Sequence, residues 1–181
     1  MNLKNISPYA AIQKEQLAYG NSMTSKAYGV KIKQDNWSAD KSPYKEWAEV
    51  GIVSSDYLLV PNETMVQMAE DVMAGSTLDF VDEKQFWNGK QFFRSWQCVD
   101  EIDAEVQEGD NLGIGVGLWN SYDGSISGRM IMFAYRLVCT NGMTSKENFA
   151  EYIFKHDIHN KDWKIEIEKT MNCLLYTSDA A

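Results

Sequence analysis

Proline is scarce, with three residues in 181, so little along the chain removes the backbone donors that strands require. Cysteine is equally rare at three. Cys98 and Cys139 stand far apart and neither belongs to a C-x-x-C pair, which excludes the common zinc and redox motifs and leaves buried thiols in a reducing compartment as the expectation. The only histidines, His156 and His159, could share a helix face and hold a metal. No third ligand accompanies them, so no metal site is assigned and solvated side chains are expected. No window approaches the ~18 apolar residues of a membrane span, and Met1–Pro8 lacks the apolar centre of a secretion signal. No membrane partner and a cytoplasmic location are expected. Basic residues are the minority, 17 against 26 acidic, for a formal charge of −9. Such a field repels nucleic acid unless cations cluster locally. The one short basic and aromatic stretch is Lys90-Gln91-Phe92-Phe93-Arg94-Ser95-Trp96.

What is present is apolar and aromatic. A chain that is 44% apolar and 12% aromatic can bury a real core. The expected fold is α+β, a mainly antiparallel sheet with a central hairpin at about 111–138 and two or three packed helices. Residues 1–42 show no sustained period and read as an irregular N-terminal arm, with one short strand around Tyr28–Ile32. Residues 43–172 read as a single α+β domain.

Within that domain Glu49–Val53 and Tyr57–Val60 read as strands of a hairpin turning at Ser54-Ser55-Asp56. Pro61-Asn62-Glu63-Thr64 starts a helix with Asn62 as its N-cap. Met65, Val66, Met68, Ala69, Val72 and Met73 form its core stripe, and Gly75 stops it. After Leu78–Val81 and an Asn88-Gly89 turn comes an alternating strand. Phe92, Arg94, Trp96 and Cys98 share one face; Phe93, Ser95, Gln97 and Val99 share the other. Arg94 thus lies beside Trp96, either stacked on an aromatic or paired with a carboxylate on the one hand, or serving a binding role on the other. The acidic run Asp100–Asp110 lacks calcium-loop spacing and reads as a solvated strand face.

Residues 111–138 read as two strands turning at Asp123-Gly124, a type I′ signal. That turn pairs Leu112 with Tyr135 and leaves Gly113, Gly115 and Gly117 in a row opposite Ala134, Met132 and Met130. Alternate glycines in a strand mark a close approach. The approaching partner is either a helix, residues 62–74 being the obvious one, or a nucleotide base or strand. The row is no dinucleotide fingerprint, since no helix follows it. Arg136-Leu137-Val138-Cys139-Thr140-Asn141-Gly142 then ends the strand in a tight turn at Cys139, Asn141 and Gly142. Thr144–Glu147 offers a capping box for a helix to about Phe154, whose first amides could hold an anion near Arg136.

The run Arg136–Met143, with Asn120-x-x-Asp123-Gly124 before it and the two-strand-plus-helix unit at 49–74, resembles a family of phage- and plasmid-borne domains of unknown function that carry an R-[VL]-V-C-x-N run after a strand. The resemblance covers residues 45–155. It implies a mobile-element setting and, through a loose likeness to the β-β-β-α core of single-strand annealing proteins, nucleic-acid metabolism.

Cys173–Ala181 resembles one translated reading frame of a transposase adaptor used in sequencing libraries. The tail is therefore expected to be adaptor-derived, the source a metagenomic assembly, and the domain truncated at its C-terminus. Without the tail the balance stays acidic.

Two functions follow. One is binding or annealing of single-stranded nucleic acid, with Arg94, Trp96, Trp119, Arg129 and Arg136 supplying stacking and phosphate contacts. The other is a protein-interaction or assembly module, including a homo-oligomer, that binds no nucleic acid. Neither requires a cofactor. No G-x-S-x-G or H-E-x-x-H spacing organises the Ser, His and acidic residues, so an enzyme is not expected.

Overall fold

The computed structural model describes residues 3–19, 23–34, 46–99, 112–137, 144–160 and 162–169. The described residues form two antiparallel sheets. A three-stranded sheet takes the order β1 (Ile12–Tyr19), β2 (Met23–Lys33), β3 (Trp47–Ser54). A five-stranded sheet follows in the order β4 (Phe80–Trp87), β5 (Gln91–Cys98), β6 (Leu112–Ser121), β7 (Gly128–Leu137), β8 (Thr144–Phe154). Helix α1 (Asn62–Ala74) connects them, and residues 163–169 form a second helix, α2. The fold is α+β and mainly antiparallel.

The periodic segments form as expected. In α1 the residues Met65, Val66, Met68, Ala69, Val72 and Met73 are buried and Gly75 follows the last turn. The methionine stripe is core. Asn62 is not the cap: Pro61 occupies that position without a side-chain bond. The Asn62 amide instead donates to the Pro8 carbonyl at 2.7 Å and its Oδ1 accepts from Asn120 at 2.8 Å. Asn88 and Gly89, the latter at φ 95°, turn the chain between β4 and β5.

Five expectations are corrected. Ile12–Tyr19 and Met23–Lys33, expected to be largely irregular, are two long strands paired over most of their length. Tyr57–Val60 is no hairpin partner of β3, which pairs with β2; Tyr57 instead bridges Asp157. Residues 144–154 are a strand rather than a helix. Ten pairings with β7 and the inward turn of Ala150, Tyr152 and Phe154 outweigh a local capping signal. The anion-binding helix start beside Arg136 therefore does not exist. The β6–β7 hairpin is present and its strands lie inside the sheet, but its register is displaced by one residue: Leu112 faces Arg136, and Trp119 faces Arg129. The loop is longer than a two-residue turn, spanning 122–127, with Gly124 at φ 73°.

The displaced register changes what lies over the glycines. It sets Gly115 opposite Phe133 and Gly117 opposite Ile131. A Cβ on Gly115 would collide with the Phe133 ring, and one on Gly117 would come within 3.1 Å of the six-membered ring of Trp119. The close approach is made by side chains of the sheet itself. Helix α1 packs on the opposite face, in one cluster with Trp96, Val116, Leu118, Met130, Met132, Phe154 and residues Trp163 and Ile167 of α2. A second core, with Val30, Ile32, Val50, Tyr57 and Tyr122, lies against the three-stranded sheet.

The acidic run Asp100–Asp110, the turn residues Cys139, Asn141 and Gly142, and the tail 173–181 lie outside the described residues.

Candidate functional site

Strand alternation sends successive side chains of each strand to opposite faces of the five-stranded sheet. On β5 this puts Phe92, Arg94 and Trp96 toward α1 and Phe93, Ser95 and Gln97 away from it. Arg94 is fully engaged on the helix side. Its Nε and Nη2 donate to the two Asp82 carboxylate oxygens at 2.8 Å each, and Nη2 reaches Glu70 of α1 at 3.3 Å. Its Nη1 donates to the Tyr9 hydroxyl at 3.2 Å, and its guanidinium carbon lies 4.8 Å from the centre of the Trp96 ring. Asp82 hydrogen bonding raises the Arg94 pKa further above its usual value. Trp96 is 3% exposed. Arg94 and Trp96 form a structural clamp between sheet and helix, with the guanidinium already engaged by Asp82, Glu70 and Tyr9.

Trp119 and Arg129 lie on the other face. Reading the pairings across the sheet gives one residue from each strand in a single row: Phe86 with Phe93, Phe93 with Trp119, Trp119 with Arg129, Arg129 with Ile153. Phe86 is 53% and Ile153 48% exposed. Phe93 and Trp119 are half-buried and make a tilted ring pair with centroids 4.5 Å apart. The Arg129 side chain is 45% exposed and its Nε lies 3.1 Å from Glu151. The neighbouring row presents Lys84, Ser95, Gly117, Ile131 and Glu151. Ser95 and Gly117 add little height there, so the Trp119 ring folds down over Gly117. The result is a tilted Phe93–Trp119 ring pair with Phe86 beside it in the row, bordered by two exposed cations, Lys84 and Arg129.

Of the five residues the sequence nominates, the structure brings Arg94 and Trp96 together on the helix side and Trp119 and Arg129 together on the opposite face. The backbone of Arg136 pairs with Leu112 and Ser145 at the far end of β7; its side chain lies outside the described set. Sequence reading missed Phe86 and Phe93. The alternation of β5 and the Asn88-Gly89 turn place Phe86 on the same face as Phe93, but the pairing of Phe86 with Phe93 itself comes only from the register of the structure.

A buried polar group joins the two sheets. Tyr57 donates its hydroxyl proton to the Ser121 carbonyl at 2.7 Å, and burial pushes its pKa up to about 12. His156, expected to be solvated, stacks on the Tyr57 ring with centroids 4.8 Å apart. Its Nδ1 lies 2.9 Å from the Leu58 carbonyl, and its Nε2 is buried without a partner. Burial lowers the His156 pKa. His159 is exposed and apart from it, and no group of metal-ligating side chains occurs among the described residues.

These features define a two-sheet α+β domain in which helices cover one face of the larger sheet and a strip of rings occupies the other. Residues 49–181 match the family described as a domain of unknown function, DUF932, and the chain belongs to that family. No curated protein and no solved structure matches the chain. Among the described residues no helix is long and apolar enough to cross a membrane.

Proposed function

We propose that the face of the five-stranded sheet opposite α1 binds single-stranded nucleic acid by stacking, without catalysis. The row Phe86, Phe93, Trp119, Arg129 and Ile153 carries this reading. Aromatic rings on a sheet face accept the faces of unpaired bases, each stacked base contributing about 1–3 kcal/mol, and an adjacent guanidinium suits a phosphate. The acidic total charge assigns most of the affinity to stacking and little to phosphate attraction. The β-β-β-α order of residues 12–74 has the connectivity that the resemblance to annealing proteins suggests, and a phage or plasmid in a bacterial cytoplasm is the setting it implies. Fluorescence anisotropy of a labelled single-stranded oligonucleotide with the full chain tests the reading. Binding with a log–log salt slope near −1.4, the value for two phosphate contacts on a single strand, is expected. No binding at low salt eliminates it.

A second reading is a protein-interaction module using the same face. The observation favouring it is that both cations already have carboxylate partners, Lys84 with Glu83 at 3.1 Å and Arg129 with Glu151, while Val81, Phe86 and Ile153 remain exposed. Such a mix of aromatic and aliphatic surface also suits a second copy of the chain. Light scattering distinguishes it, since this reading requires concentration-dependent assembly or a captured partner.

A further inference from the structure

We infer, resting on the stacking reading above, that Glu151 is a positioning residue: it holds the Arg129 guanidinium ready for a phosphate of the bound strand without itself touching the strand. Which donor Glu151 takes carries the inference. Arg129 stands directly opposite Trp119 on β6 and Ile153 on β8. Glu151 lies two residues before Ile153, on the same face, opposite Ile131. From that diagonal place its Oε1 reaches the Arg129 Nε at 3.1 Å. A guanidinium carries five N–H donors, one on Nε and four on the two Nη nitrogens. No other partner of this guanidinium occurs among the described residues. Its two Nη nitrogens, an end that can grip a phosphate with two parallel bonds, therefore stay available.

Arg94 shows the contrasting arrangement. Its Nε and Nη2 donate to Asp82, Nη2 also reaches Glu70, and Nη1 donates to Tyr9, so every nitrogen is occupied. At Arg129 one carboxylate oxygen occupies one nitrogen. The Arg129 and Glu151 side chains are 45% and 35% exposed, and so open an ion pair contributes little to stability. Its effect falls on binding. A long side chain that must be ordered when the ligand arrives weakens the complex, whereas one already held does not. The negative charge of Glu151 acts in the opposite sense, but salt screens an exposed carboxylate, and the ordering effect prevails.

The test is anisotropy of a labelled single-stranded oligonucleotide of mixed sequence with the full chain at several salt concentrations. Glu151→Ala is expected to bind roughly three-fold more weakly than the native chain, within the range that ordering one such side chain produces. Its salt slope is expected to stay unchanged, because Arg129 still meets its phosphate. Glu151→Gln keeps an oxygen acceptor for Nε and is expected to recover the loss. Arg129→Gln loses the phosphate contact, so its slope is expected to flatten by about 0.7, and adding Glu151→Ala to it brings no further loss. Equal or tighter binding by Glu151→Ala, no recovery in Glu151→Gln, or a loss that persists in the Arg129→Gln background overturns the inference and leaves the stacking reading standing. Failure of the native chain to bind at low salt overturns the stacking reading and the role of Glu151 with it.

Discussion

The hydroxyl of Tyr122, in the loop between β6 and β7, accepts a 2.9 Å hydrogen bond from the backbone N–H of Asn62 at the start of α1. Pro61 has no side chain with which to cap that helix, so a residue sixty positions away satisfies an amide that would otherwise be buried and unpaired. Tyr57 holds the same loop through Ser121, and Asp123 lies against Gly51 of β3. The loop therefore ties helix, large sheet and small sheet together.

Tyr122→Phe keeps the ring and removes the acceptor. It is predicted to destabilise the fold by about 1–3 kcal/mol, the cost of stranding a buried donor, read as a lower urea midpoint. An unchanged midpoint would show that the Asn62 N–H finds another acceptor.

His156 makes stability depend on pH. Its folded-state pKa lies below the usual value of about 6.5 because burial penalises the charged imidazolium, and its buried Nε2 has no hydrogen-bond partner. Below that value the unfolded chain binds the proton and the folded chain resists it, so the stability contributed by neutral His156 is complete above about pH 6.5 and is lost as pH falls toward the folded-state pKa. Melting temperature is predicted to decline over that window more steeply in the native chain than in His156→Gln. Parallel profiles for the two proteins would count against the assignment.

The division of arginines between the two faces gives a paired prediction. Arg94→Lys loses the two-pronged contact with Asp82 and the stack on Trp96. It should cost roughly 1 kcal/mol of stability, after allowance for solvent screening, and leave oligonucleotide affinity unchanged. Arg129→Gln, at an exposed site, should leave stability within about 0.5 kcal/mol and weaken binding, with a shallower salt slope. Anisotropy and denaturation on both variants decide the matter; equal binding losses would contradict the placement of Arg94.

Gly115 is predicted to tolerate no side chain. A Cβ there meets the Phe133 ring and lies 3.0 Å from the Trp96 carbonyl oxygen. Gly115→Ala should destabilise by about 1–3 kcal/mol through overpacking. Adding Phe133→Leu to that variant is expected to recover part of the loss, measured as a non-additive double-mutant cycle.

The elements that were legible in the sequence are those whose information is local. The stripe from Met65 to Met73 specifies α1 because helical spacing lies within one segment, and Asn88-Gly89 marks the β4–β5 turn because the turn conformation favours those residues. The alternation in β5 correctly separates Arg94 and Trp96 from Phe93. Ile12–Tyr19, Met23–Lys33 and residues 144–154 were misread for the opposite reason. Their local patterns are weak or point to a helix, and only the strands beside them, β3 and β7, make extended pairing favourable.

From the sequence alone one can obtain the acidic charge, the α+β class, α1 and the β4–β5 hairpin. Tertiary structure decided the register that folds Trp119 over Gly117, the covering of Arg94 and Trp96 by α1, and the assembly of Phe86, Phe93, Trp119 and Arg129 into one row. The physical reason is that a sheet face is built from residues on different strands. Which of them become neighbours depends on hydrogen-bond partners distant in the chain, and a shift of one residue exchanges every neighbour on that face.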